Sequence, residues 1–486
     1  MKGFIIGLAI STTVMFGVVY ATIINPSLLT NIIGANETND EFITVETEGN
    51  GLNEEFPVEE TTNLSYQELI KKGNTLIESG YPGLAVFEFQ AAIQLETKND
   101  EGFYKLGEAY FYDENHVDAA NNLQTAIDLN SENLEAKILL GKTYIELEQF
   151  ENAKAHFDTI NSTSATVLYY KGILDAYFGN YDQAQITLQK VIDSGESADL
   201  SQNANNYLNS MAEFALAQDA IESYKKTLVG RSLAETDQPT LAISLLYDVL
   251  REEPDYRDAW IIIGFVYLST ESYEDAQDAL LKAVELDPTK GETRYFLGLA
   301  YFGEEEIESA IIQFELALES GFEPQVQVYQ KLGDAAVLIG DYTKAAGAYE
   351  NVLTLNSSEV DLYIRPVWLY LDHLNDIPKA LELAERATLE HPNEAMGYNL
   401  LGWAQTINGD YVAAEQNLNY ALILDPDLSA GYLNLGRWHE LQGQYEEAKD
   451  NYKRSYTLDA DGSVGNLAAQ LYNKLVEKQT AEEAAT

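Results

Sequence analysis

The chain of 486 residues contains no cysteine. No disulfide can brace it and no lipid can be attached through a cysteine, although this absence leaves its compartment open. Basic residues are scarce too: 29 lysines and arginines stand against 79 acids, for a net charge of −50. Phosphate backbones require a basic footprint, so nucleic acid is excluded as a direct partner, and an anionic membrane surface would repel the chain. The acidity reads as a solvated outer face. Attraction of a basic partner or of divalent cations is the alternative.

Catalytic signatures are missing as well. The five histidines, His116, His156, His373, His391 and His439, form no paired metal spacing. His439-Glu440 lacks the second histidine of a zinc-hydrolase helix. There is no Gly-x-Ser-x-Gly elbow and no phosphate loop. Carboxylates are so abundant that no catalytic pair stands out. The turns Asp425-Pro426-Asp427 and Asp459-Ala460-Asp461-Gly462 lack the twelve-residue calcium-loop pattern. The sequence therefore indicates no catalytic residue, no cofactor and no metal ligand, and no enzyme.

What is present is a period. Ala85, Ala119, Ala153, Ala184, Ala242, Ala276, Ala310, Ala345, Ala380, Ala414 and Ala448 are separated by 34, 34, 31, 58, 34, 34, 35, 35, 34 and 34 residues. Ten of the eleven follow a glycine by twelve positions, from Gly73 and Gly107 to Gly402 and Gly436. One copy shows the unit. Apolar residues recur at helical spacing from Asp258 to Leu268, Ser269 to Tyr273 breaks the pattern, and a second helical run ends at Asp287-Pro288. Each copy is expected to be two antiparallel helices. Gly264 and Ala276 let their axes approach, while Trp260, Ile263, Tyr267, Leu280 and Ala283 face the next copy.

The pattern Trp260, Ile263-Gly264, Tyr267, Ala276, Leu280, Ala283, Pro288 resembles the tetratricopeptide repeat family. It recurs as Tyr398, Leu401-Gly402, Gln405, Ala414, Leu418, Ala421, Pro426, and as Tyr432, Leu435-Gly436, His439, Ala448, Tyr452, Ser455, Ala460. The resemblance covers roughly 66 to 462. It implies an all-α chain, a right-handed α-α superhelical solenoid of helix-turn-helix repeats. Four repeats are expected over 65–198 and seven over 223–462. An extra helix at 199–222 fills the long step, and a capping helix and tail follow at 463–486. The third repeat is clipped near Asn161. The repeat at 361–394 carries Trp368 at the glycine position and Pro366 in its first helix, which predicts a kink or a late start.

The first residues are a different object. Gly3 to Ile24 carries no charge, about 33 Å of helix and enough to cross a bilayer. Lys2 precedes it, and acids follow without a base until Lys71. A single N-terminal transmembrane helix over 1–25 would leave the N-terminus cytoplasmic and the repeats outside. A signal peptide cleaved after Ala21 or Ala35, and a secreted chain, is the rival reading. Residues 26–64 have the composition of a disordered acidic linker.

Within the resemblance, ligands lie in the concave groove lined by first helices. The side chains expected there include Tyr104, Glu108, Phe111, Lys142, Tyr169, Ile173, Ile261, Phe265, Tyr295, Leu299 and Phe302. The C-terminal part adds Arg365, Asn399, Trp403, Asn434 and Arg437, a residue mix common in binding hot spots. The family's chaperone-type carboxylate clamp is not matched, because Asn74 is present but Ile70 stands where its lysine belongs. The sequence thus points to an anchored scaffold that takes a peptide segment or partner domain in its groove. A subunit or assembly factor of a cell-envelope complex, packing through its convex face, is the competitor, and an accessory to an envelope enzyme a distant third.

Overall fold

The computed structural model describes residues 64–216 and 221–485. They fall into two compact units, 64–266 and 267–485. The first holds α1 (Tyr66–Glu78), α2 (Pro82–Leu95), α3 (Asp100–Tyr112), α4 (His116–Leu129), α5 (Leu134–Glu146), α6 (Phe150–Thr159), α7 (Ala165–Tyr177), α8 (Tyr181–Ser194), α9 (Ala198–Leu216), α10 (Glu222–Glu235) and α11 (Pro239–Glu252). The unit boundary falls inside α12 (Arg257–Ser269). The second unit continues with α13 (Tyr273–Leu286), α14 (Gly291–Gly303), α15 (Ile307–Glu319), α16 (Gln325–Leu338), α17 (Tyr342–Leu355), α18 (Ile364–Trp368), α19 (Ile377–Glu390), α20 (Ala395–Asn408), α21 (Tyr411–Leu424), α22 (Ser429–Leu441), α23 (Tyr445–Leu458) and α24 (Ser463–Ala485). Among the described residues there is no strand, so each unit is an all-α stack of helical repeats.

Short polar caps start many of these helices. The Ser65 hydroxyl accepts from the Glu68 amide while Glu68 returns to the Ser65 amide, closing a capping box on α1. Asn115, Asn133, Asp341 and Asp376 cap α4, α5, α17 and α19. Pro82, Pro239 and Pro378 sit in first turns, where a missing amide costs nothing.

The turn between the two helices of every repeat contains one residue in the left-handed region. These are Gly80, Glu114, Glu148, Gly179, Asp237, Glu271, Glu305, Gly340, Asn375, Gly409 and Gly443. Each lies five positions before one of the eleven periodic alanines. The turn geometry therefore repeats with the period, whatever residue occupies it.

The repeat glycines meet a particular partner. A Cβ on Gly141 would come within 2.4 Å of Phe157, one on Gly402 within 2.6 Å of Leu418, and one on Gly436 within 2.6 Å of Tyr452. The large residue sixteen positions on therefore fills the glycine's gap inside its own repeat. That corrects the expectation that residues at the Leu280 position serve mainly the next copy. In the repeat at 361–394, Trp368 removes the gap. The first helix there breaks into a 3-10 turn (Val360–Tyr363), α18, and a π-helical turn (Leu369–His373). Trp368 packs edge-on to His373, with ring centroids 4.7 Å apart.

The extra helix α9 has a consequence in the first unit. After it, α11 folds back against earlier first helices. Thr240 Oγ1 donates to Glu146 Oε2 at 2.7 Å, and the hydroxyls of Tyr177 and Ser244 meet at 3.0 Å. The expected N-terminal span at 1–25 and the acidic linker up to residue 63 lie outside the described residues. Among the described residues no helix is long and apolar enough to cross a membrane. At the other end, α24 covers the last repeat, burying Ala468 and Leu475 with Tyr452.

Candidate protein-binding face

In the second unit, first helices of successive repeats stand side by side, and their side chains interlock from one repeat to the next. Asn434 on α22 donates its side-chain amide to Asn399 Oδ1 on α20 at 3.0 Å. Arg437, one turn along α22, donates to Asn434 Oδ1 at 3.3 Å, and its guanidinium lies 5.4 Å from the Trp403 ring centre. Four residues expected in the groove are thus brought together. Their exposure is unequal, however. Asn399, Asn434 and Trp403 are 2 %, 4 % and 8 % exposed, while Arg437 is half-buried. Arg437 is the accessible member, lying over the buried Trp403 ring, and the two asparagines fix it from beneath.

Arg365 lies in a separate cluster. Its Nη1 donates to the Tyr349 hydroxyl at 2.8 Å and pairs with the Asp334 carboxylate. Tyr349 donates to Asp334 Oδ1 at 2.7 Å, and the guanidinium lies 5.3 Å from the Tyr349 ring centre. Burial pushes the Tyr349 hydroxyl far above its ordinary range, so it remains a donor. Arg365 therefore has an internal counter-ion, which sequence spacing does not reveal.

Lys331 on α16 completes this face. Its Nζ lies 5.6 Å from the ring centre of Phe302 on α14. Burial, and then the positive charge of Arg365, hold its pKa below the usual lysine range. Spacing alone passes over it, yet a signal exists: Lys331 stands two residues before Gly333 just as Asn434 stands two before Gly436. Phe302 is half-buried. Tyr295 is 4 % exposed and stacks on Phe322 with ring centroids 5.1 Å apart. The expected groove residue Tyr295 is a packing residue, because its ring fills the space between α14 and the segment after α15.

The apolar stripe farther back is also core. Ile261, Phe265 and Leu299 are buried. In the first unit Tyr169 and Ile173 are buried too, on a helix whose neighbour α11 folds back upon the array. Toward the N-terminus the expected residues are half-buried: Lys142 lies 5.4 Å from the Phe111 ring and Tyr104 donates to Glu108 at 3.2 Å. The second-helix side of the second unit carries exposed apolar residues, Leu389 at 80 %, Val412 at 74 % and Ile423 at 73 %. Among the described residues no group of three or more His, Asp or Glu side chains could hold a metal ion.

Tetratricopeptide repeat models match residues 111–177, 258–290, 369–429 and 429–461. A peroxisomal targeting signal receptor of Candida albicans is 25% identical over 235 residues. That match takes in 48% of this chain and only 38% of the receptor. Among solved structures, the Cut9–Hcn1 hetero-tetramer of the APC/C aligns at 15% identity and TM-score 0.32, covering 85% of this chain and 96% of that one. YrrB, described as a repeat protein with an unusual peptide-binding site, aligns at 20% identity and TM-score 0.34 over 38% of this chain and 95% of its own. Yeast Tom70 aligns at 14% and 0.31, covering 85% and 96%. Likeness at this level carries no inference about partners.

Proposed function

This chain is a tetratricopeptide repeat protein, and we propose that it is an anchored scaffold that holds an extended segment of another protein on the first-helix face of residues 291–441. The observation that carries the reading is the Asn399–Asn434–Arg437–Trp403 arrangement. Two buried amides hold an arginine against a tryptophan, which costs desolvation and side-chain entropy, with no ion pair to this arginine among the described residues. Such a pre-set cation, backed by a buried aromatic ring, suits peptide capture, since little ordering remains to be done on binding. The uncharged run Gly3–Ile24 would tether the scaffold with its repeats outside the cytoplasm. The chaperone-type clamp plays no part in this reading.

Affinity capture with the full chain in mild detergent tests it. Trp403→Ala with Arg437→Ala should remove the captured partner, and Arg437→Glu, which leaves the buried Trp403 ring in place, should do so with the helical circular dichroism unchanged. A partner retained by that double variant overturns the reading. Protease protection in sealed vesicles checks orientation: repeats digested from the cytoplasmic side would reverse it.

A second reading rests on Leu389, Val412 and Ile423, three apolar side chains exposed on second helices. Here the chain is a subunit of an envelope assembly packing through the opposite side. Val412→Ser with Ile423→Ser would then abolish capture and the Trp403/Arg437 pair would not.

A further inference from the structure

We propose that the outer side of α2, in the first unit, is the contact through which two copies of this chain pair, antiparallel, about a two-fold axis. The first-helix face of residues 291–441 plays no part in it. A second helix of the array is normally rich in charge: α23 carries Glu446, Glu447, Lys449, Asp450, Lys453 and Arg454. The α2 helix has the single charge of Glu88, and Lys72 meets it at 2.8 Å. Ala85, Phe89 and Ala92 bury one side of α2 in the core. The other side is apolar as well. Leu84, Phe87, Ala91 and Leu95 recur at steps of three, four and four, which sets them in one stripe about 16 Å long. Ala91 is half-buried, Phe87 is 66 % exposed, and Leu84 and Leu95 are more than half exposed. Tyr81, just before the helix, is more than half exposed too. The turn after α3 lies alongside, since a Cβ on Gly83 would come within 2.8 Å of Asp113, and the adjoining Tyr112 is again more than half exposed. A helix that is apolar on both sides calls for cover on both.

Charge and shape select a second copy as that cover. With 79 acids against 29 bases, two of these chains repel wherever their acidic surfaces meet. A seam whose one charge is already balanced lets them approach without setting acid against acid. A basic partner would gain nothing from so neutral a stripe. The stripe also fits itself. Run antiparallel, Leu84 falls opposite Leu95 of the second copy and Phe87 opposite its Ala91, a large side chain over a small one. Covering Tyr81, Leu84, Phe87, Leu95 and Tyr112 removes roughly 600 Å² per copy from water, and the two copies together exceed the roughly 1,000 Å² that a specific interface needs. The same patch serves both copies, so association closes at two.

The absence of cysteine makes a thiol test clean. The full chain in non-ionic detergent is prepared as Leu84→Cys and as Leu95→Cys, and each is mildly oxidised alone and after mixing with the other. Antiparallel pairing puts the two thiols together only in the mixture, so disulfide-linked pairs should form there about fivefold more than in either variant alone. Val412→Cys, on a different apolar surface, should give no such gain with either. Sedimentation velocity should show two chains per particle for the wild type and one for Leu84→Glu with Phe87→Glu, at unchanged helical circular dichroism. A wild-type chain that sediments singly at about 10 μM, or a mixture no more linked than its components, overturns the proposal. So does a pair that survives both glutamates. The thiol experiment reads the stripe without adding charge, and it stands if the glutamate variant fails to fold.

Discussion

Asn434 donates its side-chain amide to Asn399 at 3.0 Å across one full repeat, and both side chains are buried. The bond joins two first helices on the face that also carries Arg437. It therefore sets the relative register of α20 and α22 as well as the position of the guanidinium.

Asn434→Ala should leave the Asn399 carbonyl oxygen without its donor and lower stability by about 1–3 kcal/mol. The double change Asn399→Leu/Asn434→Leu should cost less than the single one, because no polar atom is stranded. Urea denaturation followed by tryptophan fluorescence reads both, with Trp403 and Trp438 reporting this end of the array. Equal or larger loss in the double variant would show that packing, not the hydrogen bond, sets the cost.

The left-handed turn residue offers a test of the repeat's geometry. Glu305 at φ 60° carries a Cβ that the left-handed region penalises, and Gly409 at φ 84° does not. Glu305→Gly should raise stability by up to about 1 kcal/mol, and Gly409→Ala should lower it by about 1–2 kcal/mol. Melting temperatures moving in opposite directions would bear this out.

Helical glycines should split into two classes. Gly402→Ala would put a Cβ 2.6 Å from Leu418 Cγ, which forces the two helices of its repeat apart and should cost about 1–3 kcal/mol. A Cβ on Gly347 in α17 would meet nothing within 4 Å, so Gly347→Ala should stabilise by about 0.5–1 kcal/mol. The comparison is made by chemical denaturation under identical conditions.

Acid stability should depend on Glu390. Its carboxylate accepts from the Tyr363 hydroxyl at 2.6 Å and from Arg386 Nε at 2.7 Å, which together lower its pKa from 4.5 to about 2. A depressed folded-state pKa gives stabilisation that is complete above about pH 4.5 and fades as pH falls toward 2. The melting-temperature gap between wild type and Glu390→Gln should be flat near neutrality and close across that window. A gap that persists at pH 2 would assign the role to packing.

Much of this architecture is legible in the spacing of alanines and glycines. A small residue is tolerated at a helix crossing only if something large fills the gap, so the period of one implies the period of the other. The same logic marks Trp368 as an irregular repeat, although the mixed 3-10, α and π path of that helix needed coordinates. The face was less legible. Tyr295 and Arg437 both lie on first helices at groove offsets, yet one stacks inside on Phe322 and the other stays accessible over Trp403. Offset along a helix fixes a side chain's direction, not what the neighbouring segment brings to meet it.

The order of elements, the tight turns and the cap at the end follow from the sequence, because hydrophobic period and chain-breaking residues are local properties of the chain. Which bases keep an internal partner was decided only in three dimensions. Asp334 and Arg365 pair across 31 residues; Lys331, three positions from that same aspartate, lies over the Phe302 ring and pairs with no acid among the described residues. Electrostatic pairing depends on separations of a few ångströms between side chains from different repeats, and no one-dimensional spacing specifies them.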